Sequence, residues 1–268
     1  MLTWFRLTQA VKYLDLTFST PEENLACDEA LLDGCEEGRV PELLRFWEPR
    51  RHFVVVGYSN RVEQEVEAKA CQEQGIPTLR RCSGGGAVLQ GPGCLNYSLI
   101  LRVDSHPALQ TLAGTNRFVM ERNRAALETL LACSSRREEA LSSKCETGNP
   151  IPELSVCGHT DLALGGLKFS GNAQRRKCRC LMFHGTFLLQ FEIARVEQCL
   201  RMPARQPGYR QNRPHKDFLA NIRLSGDALK EALKHSWQAT EMLGYVPSDK
   251  IEQLVREKYS AAAWNLKF

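Results

Sequence analysis

The stretch RRCSGGGAVLQGPGCLNYS begins with two arginines, Arg80 and Arg81, and runs through three consecutive glycines, Gly84, Gly85 and Gly86. Glycine loses more backbone freedom on ordering than any other residue, so a triple needs a reason. Bare backbone lets a ligand lie directly on the chain, and its amides can face an anion. Flanking arginines can add charge-assisted bonds to phosphate or carboxylate. The plain alternative is a tight turn with two solvated arginines. A P-loop needs G-K-[ST] and a helix after it, and the dinucleotide fingerprint also opens a helix. Here Ala87-Val88-Leu89-Gln90 follows, which is strand-like, so both readings fail. A second candidate is Lys168 in TDLALGGLKFSGNAQRRK, followed by Phe169 and the small residues Ser170, Gly171 and Ala173. A lysine among small residues is a fixed positive charge where an anion or a polarised carbonyl could bind. The alternative is an exposed strand lysine.

Cys178, Cys180 and His184 share one face of a regular strand and are zinc-type ligands. No fourth ligand stands at a usual spacing and Met182 lies on the same face, so no metal is expected. The basic run Arg175-Arg176-Lys177 and the cluster from Arg201 to Lys216, with His215, face either solvent or an acidic partner.

These residues need elements to hold them. Pro21 to Gly38 has helical spacing, and ELLRFWEP and HFVVVGYSN read as strands. Residues 61–73 read as a helix closed by Gly75 and Pro77. TLRRCS, AVLQ and CLNYSLILRV are strand pieces, and a long helix runs from Pro107 to Ala132. Ser134 to Pro152 reads as a polar surface loop. Gly165-Gly166 marks a hairpin that carries Lys168 on its second strand, and CRCLMFHGTFLLQF is the next strand. Ala204 to Lys216 reads as a mobile loop, and two helices follow, over Gly226–Leu243 and Ser248–Tyr259. The expected fold is therefore α+β, one domain over residues 1–268, with a mostly antiparallel central sheet flanked by helices.

The chain has 268 residues, 43% hydrophobic and 25% charged, enough for a sizeable core. Its net charge of +4 is too diffuse to argue for nucleic acid. The start, MLTWFRLTQAVKYLDL, has no secretory pattern, and no apolar run reaches the length of a membrane span. Eleven cysteines, an odd number in a long chain, point to reduced thiols in a cytoplasm.

Taken in order, five segments resemble one family, the lipoate–protein ligases with the octanoyl- and lipoyltransferases. RRCSGGGAV resembles its R-R-x-[ST]-G-G-G-A-V signature. GLKFSGNAQRR resembles its lysine hairpin, FHGTFLL its H-G-[ST] strand, ENLACDEALL its first helix, and EKYSAAAWN the close of the small ligases. The biotin ligases share this fold, but their G-R-G-R-x-G loop is absent. The resemblance implies attachment of lipoate or octanoate to a lysine, on a lipoyl domain of a 2-oxoacid dehydrogenase or on the glycine cleavage H protein. By motif, Arg80, Ser83, Gly84, Gly85, Gly86 and Ala87 would line the acyl and phosphate site, and Asn96 would hold the strand beside it. Lys168 would bind the acyl carbonyl or a phosphate oxygen. Asp161, Gly171, Ala173 and His184 complete the set that the motifs map.

Two mechanisms fit the resemblance. A ligase uses ATP and Mg2+ to form an acyl adenylate, and small ligases can depend on an accessory subunit for adenylation. SGGGAV and Thr160-Asp161-Leu162 follow that pattern, so ligation is favoured. However, Leu89-Gln90-Gly91 replaces the usual Y-H-D. A transferase needs no cofactor and passes the acyl group through a cysteine thioester. Cys157 in VCGHTDL is one residue out of register with that pattern, with His159 near enough to assist; the alternative is an inert thiol. A non-catalytic paralogue that binds an acyl group or a partner is a third reading. Retention of Lys168 argues against it.

Overall fold

The computed structural model describes residues 10–141 and 153–268. The elements run β1 (Lys12–Asp15), α1 (Pro21–Glu36), β2 (Leu43–Trp47), β3 (Phe53–Val56), α2 (Val62–Glu65), α3 (Ala68–Glu73), β4 (Thr78–Arg80), β5 (Val88–Gln90), β6 (Cys94–Arg102) and α4 (Leu112–Leu141). After the gap come β7 (Leu154–Cys157), β8 (Asp161–Leu164), β9 (Leu167–Arg176), β10 (Cys180–Leu188), α5 (Ala194–Cys199), α6 (His215–Phe218), α7 (Gly226–Trp237), β11 (Glu241–Met242), α8 (Ser248–Leu254) and α9 (Ala262–Asn265).

Eight strands form one sheet in the order β11-β1-β2-β6-β10-β9-β8-β7. Five of its seven neighbouring pairs are antiparallel; β1 runs parallel to both β2 and β11. A smaller sheet, β4-β3-β5, carries the glycine turn between β4 and β5. The architecture is α+β, as expected.

Central strand β6 is buried on both faces. Leu95, Tyr97, Leu99 and Leu101 pack with Val119 and Leu127 of α4 and with Leu229, Leu233 and Trp237 of α7. Ile100 packs on the other side with Leu31 and Leu32 of α1. Thr20 and Glu23 form a capping box at the start of α1, and Pro21 sits in its first turn, where a missing N–H costs nothing. The N-x-x-x-D spacing of that helix serves a buried cation. Arg45 of β2 bonds the Asn24 carbonyl and side-chain oxygens, both at 2.9 Å, and Asp28 Oδ1 at 2.5 Å. This pair ties the helix to the sheet.

Several expectations need correction. Helix α7 stops at Trp237, because Gln238 takes a left-handed conformation (φ 54°); Glu241 and Met242 then pair with β1 instead of continuing the helix. The loop expected over Ser134–Pro152 is helical as far as Leu141, where α4 continues through SSRREEAL; its remainder lies outside the described residues. The helix expected over 61–73 is two short ones, broken at Val66, which bridges to Leu200. The segment read as a mobile loop, 204–216, is held against the β8–β9 hairpin. It contains a 3-10 turn at Gly208–Arg210 and the start of α6. No helix of the described residues is long and apolar enough to cross a membrane.

Candidate active site

A cavity of about 560 Å3 lies between the glycine turn, the ends of β9 and β10, and the 203–218 segment. Gly85, Gly86, Ala87, Asn96, Asp161, Lys168, Gly171, Ala173 and His184 all line it. Leu25, Trp47, Val55, Val88 and Tyr97 add an apolar section.

The two arginines have different jobs from those read in the sequence. Arg80 is fully buried and is not on the cavity wall. Its guanidinium makes five bonds to backbone carbonyls, those of Gly57, Tyr58, Asn60, Trp264 and Asn265. Every guanidinium nitrogen is engaged in holding the Trp264–Asn265 segment and the loop after β3, which corrects its assignment as a ligand residue. The W-N close of the chain completes this clip. Trp264 Nε1 donates to the Arg80 carbonyl at 2.9 Å, and Asn265 Oδ1 accepts from the Arg80 amide at 3.0 Å. Arg81 does reach the cavity, but as the stem of the turn. It donates to Ser83 Oγ and to the carbonyls of Val55, Gly84 and Gly86, the shortest being 2.7 Å to Gly84. Burial holds its pKa down at about 10.

Ser83 and Gly84 stand behind the wall rather than on it. Gly85 needs its glycine. Its φ is +91°, and a Cβ there would sit 2.9 Å from Arg81 Nη2. The Ala87 amide is already bonded, at 2.5 Å, to the Glu65 carboxylate at the end of α2. Sequence reasoning missed Glu65, since nothing in its short helix marks it. Glu65 also accepts from Asn60, whose side chain donates in turn to the Gly85 carbonyl.

Lys168 Nζ lies 2.8 Å from Asp161 Oδ1, and the Tyr209 hydroxyl donates to Asp161 Oδ2 at 2.8 Å. The glycine three residues along has a local reason. A Cβ on Gly171 would be 2.8 Å from Lys168 Nζ, so the lysine tip lies over bare backbone. Gly185 makes room in the same way for the Asn172 amide, whose Oδ1 would be 1.8 Å from an added Cβ. That amide oxygen accepts from Tyr97 Oη at 2.7 Å, and Tyr97 leads through Asn123 to Trp237 in the core.

His184 Nε2 is 2.5 Å from Ser83 Oγ. Burial, and then the nearby Arg81 charge, lower its pKa to about 4, so it is neutral near pH 7. Asn96 bonds Gln90 Oε1 at 3.0 Å, and Gln90 Nε2 donates to Thr186 at 2.6 Å, which closes a ring with Asn96. Gln90 therefore offers no charge to a ligand.

Cys157 ends β7 directly opposite Asp161 in the β7–β8 register. It is half-buried, with Sγ 3.4 Å from Ser155 Oγ. Its neighbours His159 and Thr160 line the cavity. Gly158, at φ +56°, lies under Pro207 and Tyr209. The zinc-type trio does not meet. Cys178 is exposed, Cys180 is buried with Sγ 3.0 Å from Cys35 Sγ, and His184 faces Ser83. Among the described residues no cluster of three metal-type side chains forms.

A glycine turn held from within and a lysine tip laid over glycine thus face one cavity with an apolar section. Residues 20–237 match the family described as the lipoyl protein ligase A/B catalytic domain. The chain belongs to that family. The octanoyltransferase LipM of Geobacillus kaustophilus is 26% identical over 96% of this chain and 98% of its own length. That of Anoxybacillus flavithermus is 28% identical over the same shares. In fold, the chain is similar to a bipartite lipoate protein ligase from Thermoplasma acidophilum, solved with its E2 lipoyl domain as a lipoylation system (TM-score 0.75, 20% identity, 96% of each chain). It is also similar to lipoate-protein ligase A bound with ATP (TM-score 0.71, 22% identity, 96% of this chain and 99% of that one).

Proposed function

We propose that the chain transfers an octanoyl or lipoyl group to a lysine of a lipoyl-domain protein, through a thioester on Cys157. The observation that carries this reading is the position of Cys157. It is a half-buried thiol paired directly across from Asp161, which grips Lys168, and it stands just behind the cavity wall formed by His159, Thr160 and Asp161. The sequence alone favours ATP-dependent ligation. The near full-length likeness to octanoyltransferases supports transfer instead, and so does the neutral, internally bonded Gln90 where ligases carry Y-H-D.

In the first step the acyl carbonyl of a thioester donor lies at Lys168, whose charge stabilises the oxyanion as sulfur attacks. The Cys157 S–C bond forms, the donor's C–S bond breaks, and the Cys157 proton leaves with the donor thiol. In the second step the neutral amine of the acceptor lysine attacks the new thioester. An amide forms and the Cys157 thiol is restored. Trp47, Val55, Val88 and Tyr97 give the acyl tail apolar surface.

Ligation is the second reading, favoured by the unbroken TDLALGGLKFSGNA hairpin. An apo lipoyl domain separates the two. Under the transfer reading, octanoyl–carrier protein suffices without ATP. The intact protein gains an octanoyl mass that hydroxylamine removes, and Cys157→Ser loses both adduct and product. Octanoylation of the acceptor by Cys157→Ser from octanoate and Mg-ATP, with pyrophosphate release, would overturn it.

A further inference from the structure

The arginines behind the glycine turn have their donors accounted for. Arg80 and Arg81, both buried, each make five hydrogen bonds. Arg210 does not. It is 4% exposed and lines the cavity from the 3-10 turn at Gly208–Arg210. It makes only two bonds, from Nε to the Arg213 carbonyl at 3.0 Å and from Nη2 to the thioether sulfur of Met202 at 3.3 Å. Its guanidinium stacks 4.7 Å from the Phe218 ring. Among the described residues it forms no ion pair, and its Nη1, which makes neither of these bonds, is open to the cavity.

A buried cation without a counter-ion is costly and persists where something offsets it. The surroundings reinforce the sign. Arg201, Arg205 and His215 line the same end of the cavity. Arg201 is already paired with Glu67, and burial lowers the pKa of His215. Among the cations at this end of the cavity, Arg210 is therefore the buried one with neither an ion pair nor a full set of hydrogen bonds; the Asp161 charge reaches it, but that carboxylate is taken by Lys168 and Tyr209. The turn that carries it is fastened to the reacting end, because its neighbour Tyr209 bonds Asp161, the partner of Lys168.

We propose that Arg210 is an anion subsite that binds a phosphate group of the acyl donor. The phosphate could belong to the phosphodiester of a pantetheine arm or to an acyl adenylate; a planar guanidinium fits either. The inference rests on the acyl-attachment reading of this cavity, but not on Cys157.

The test compares KM for octanoyl-4′-phosphopantetheine with KM for octanoyl-pantetheine, the same thioester without phosphate, alongside binding of a non-hydrolysable octanoyl-adenylate analogue. Loss of a charge-assisted bond corresponds to roughly ten- to a hundredfold. In the wild type the phosphorylated donor should be preferred by that factor; Arg210→Met should bring the ratio close to one, and Arg210→Lys should keep part of it. If Arg210→Met weakens only the adenylate analogue, the subsite stands with an adenylate as its ligand. Equal KM values for the two donors in the wild type, or a wild-type preference that survives in folded Arg210→Met, together with unchanged adenylate-analogue binding in Arg210→Met, would overturn the subsite. The hydroxylamine-labile adduct at Cys157 is read separately, so failure of the transfer mechanism and failure of the subsite are distinguishable.

Discussion

Alanine at Gly171 moves Lys168 without removing it. The added Cβ would lie 2.8 Å from Lys168 Nζ, 2.9 Å from its Cε and 3.6 Å from Asp161 Oδ1. Carbon atoms prefer separations of about 3.5–4.0 Å, so the lysine tip must retreat by roughly 0.6–1 Å. The group that yields is the end of a flexible side chain, so stability should change by no more than about 0.5 kcal/mol, as at a surface site. Catalysis should not be so tolerant. A misplacement of about 1 Å in a reacting constellation costs up to roughly a hundredfold. Gly171→Ala should therefore lower kcat for octanoyl transfer about ten- to a hundredfold. Lys168→Ala, which deletes the charge, should lose about a hundred- to a thousandfold. Single-turnover transfer to an apo lipoyl domain, run beside a thermal melt, measures both effects. A folded Gly171→Ala protein with wild-type turnover would refute the claim that the lysine tip over Gly171 marks the reacting position.

Other substitutions probe other parts. Gly85→Val should lose binding of an octanoyl-adenylate analogue beyond any loss of stability, because φ is +91° and the new side chain meets Arg81; calorimetric titration reads this. Asn265→Ala removes bonds to the Arg80 amide and from its own amide to the Tyr259 carbonyl, and should cost about 1–3 kcal/mol in urea denaturation. His184 gives a pH signature. Its folded pKa of about 4 lies below its ordinary value, so the unfolded chain takes up its proton first as pH falls. That contribution to stability is complete above about pH 6.5 and is lost between there and about pH 4. His184→Gln should flatten that part of the stability–pH curve.

The parts of the site that were legible in the sequence are the local ones. Strand, triple glycine and strand is a backbone instruction within the short run Thr78 to Gln90, and the Gly165-Gly166 hairpin fixes where Lys168 falls. What stayed hidden depends on distant partners. Arg80 and Arg81 are adjacent and chemically alike, and only the W-N close of the chain, 184 residues on, tells the clip from the stem. Glu65 reaches the Ala87 amide from a four-residue helix too short to show a periodic face. The 204–216 segment has no apolar period because its order comes from contacts with the hairpin: Arg213 to the Gly166 carbonyl and Tyr209 to Asp161, followed just beyond the segment by Ala220 to the Lys168 carbonyl. The pattern extends helix α7 too far because a glutamine, rather than a glycine, takes its left-handed cap.

The division of labour among cations follows from these partners. A positive charge that must act on a passing carbonyl has to be held by something that can let go. Arg80 and Arg81 are each fixed by five bonds inside the fold, so neither can follow a ligand. Lys168 is held by one carboxylate, which the 204–216 segment orients through the Tyr209 hydroxyl. Under the proposed function, an acyl carbonyl or phosphate arriving at Lys168 would compete with Asp161, whose other oxygen keeps the Tyr209 donor. The 204–216 segment thus links Lys168, through Tyr209 and Asp161, to the cavity end where Arg210 stands. Tyr209→Phe leaves the ring's tilted contact with Phe218, at 5.2 Å, and removes only the hydroxyl. It should loosen Asp161, leave the fold intact and lower kcat more than it raises KM for octanoyl-pantetheine. A rise in KM with kcat unchanged would mean that the segment shapes the entrance and does not steady the lysine.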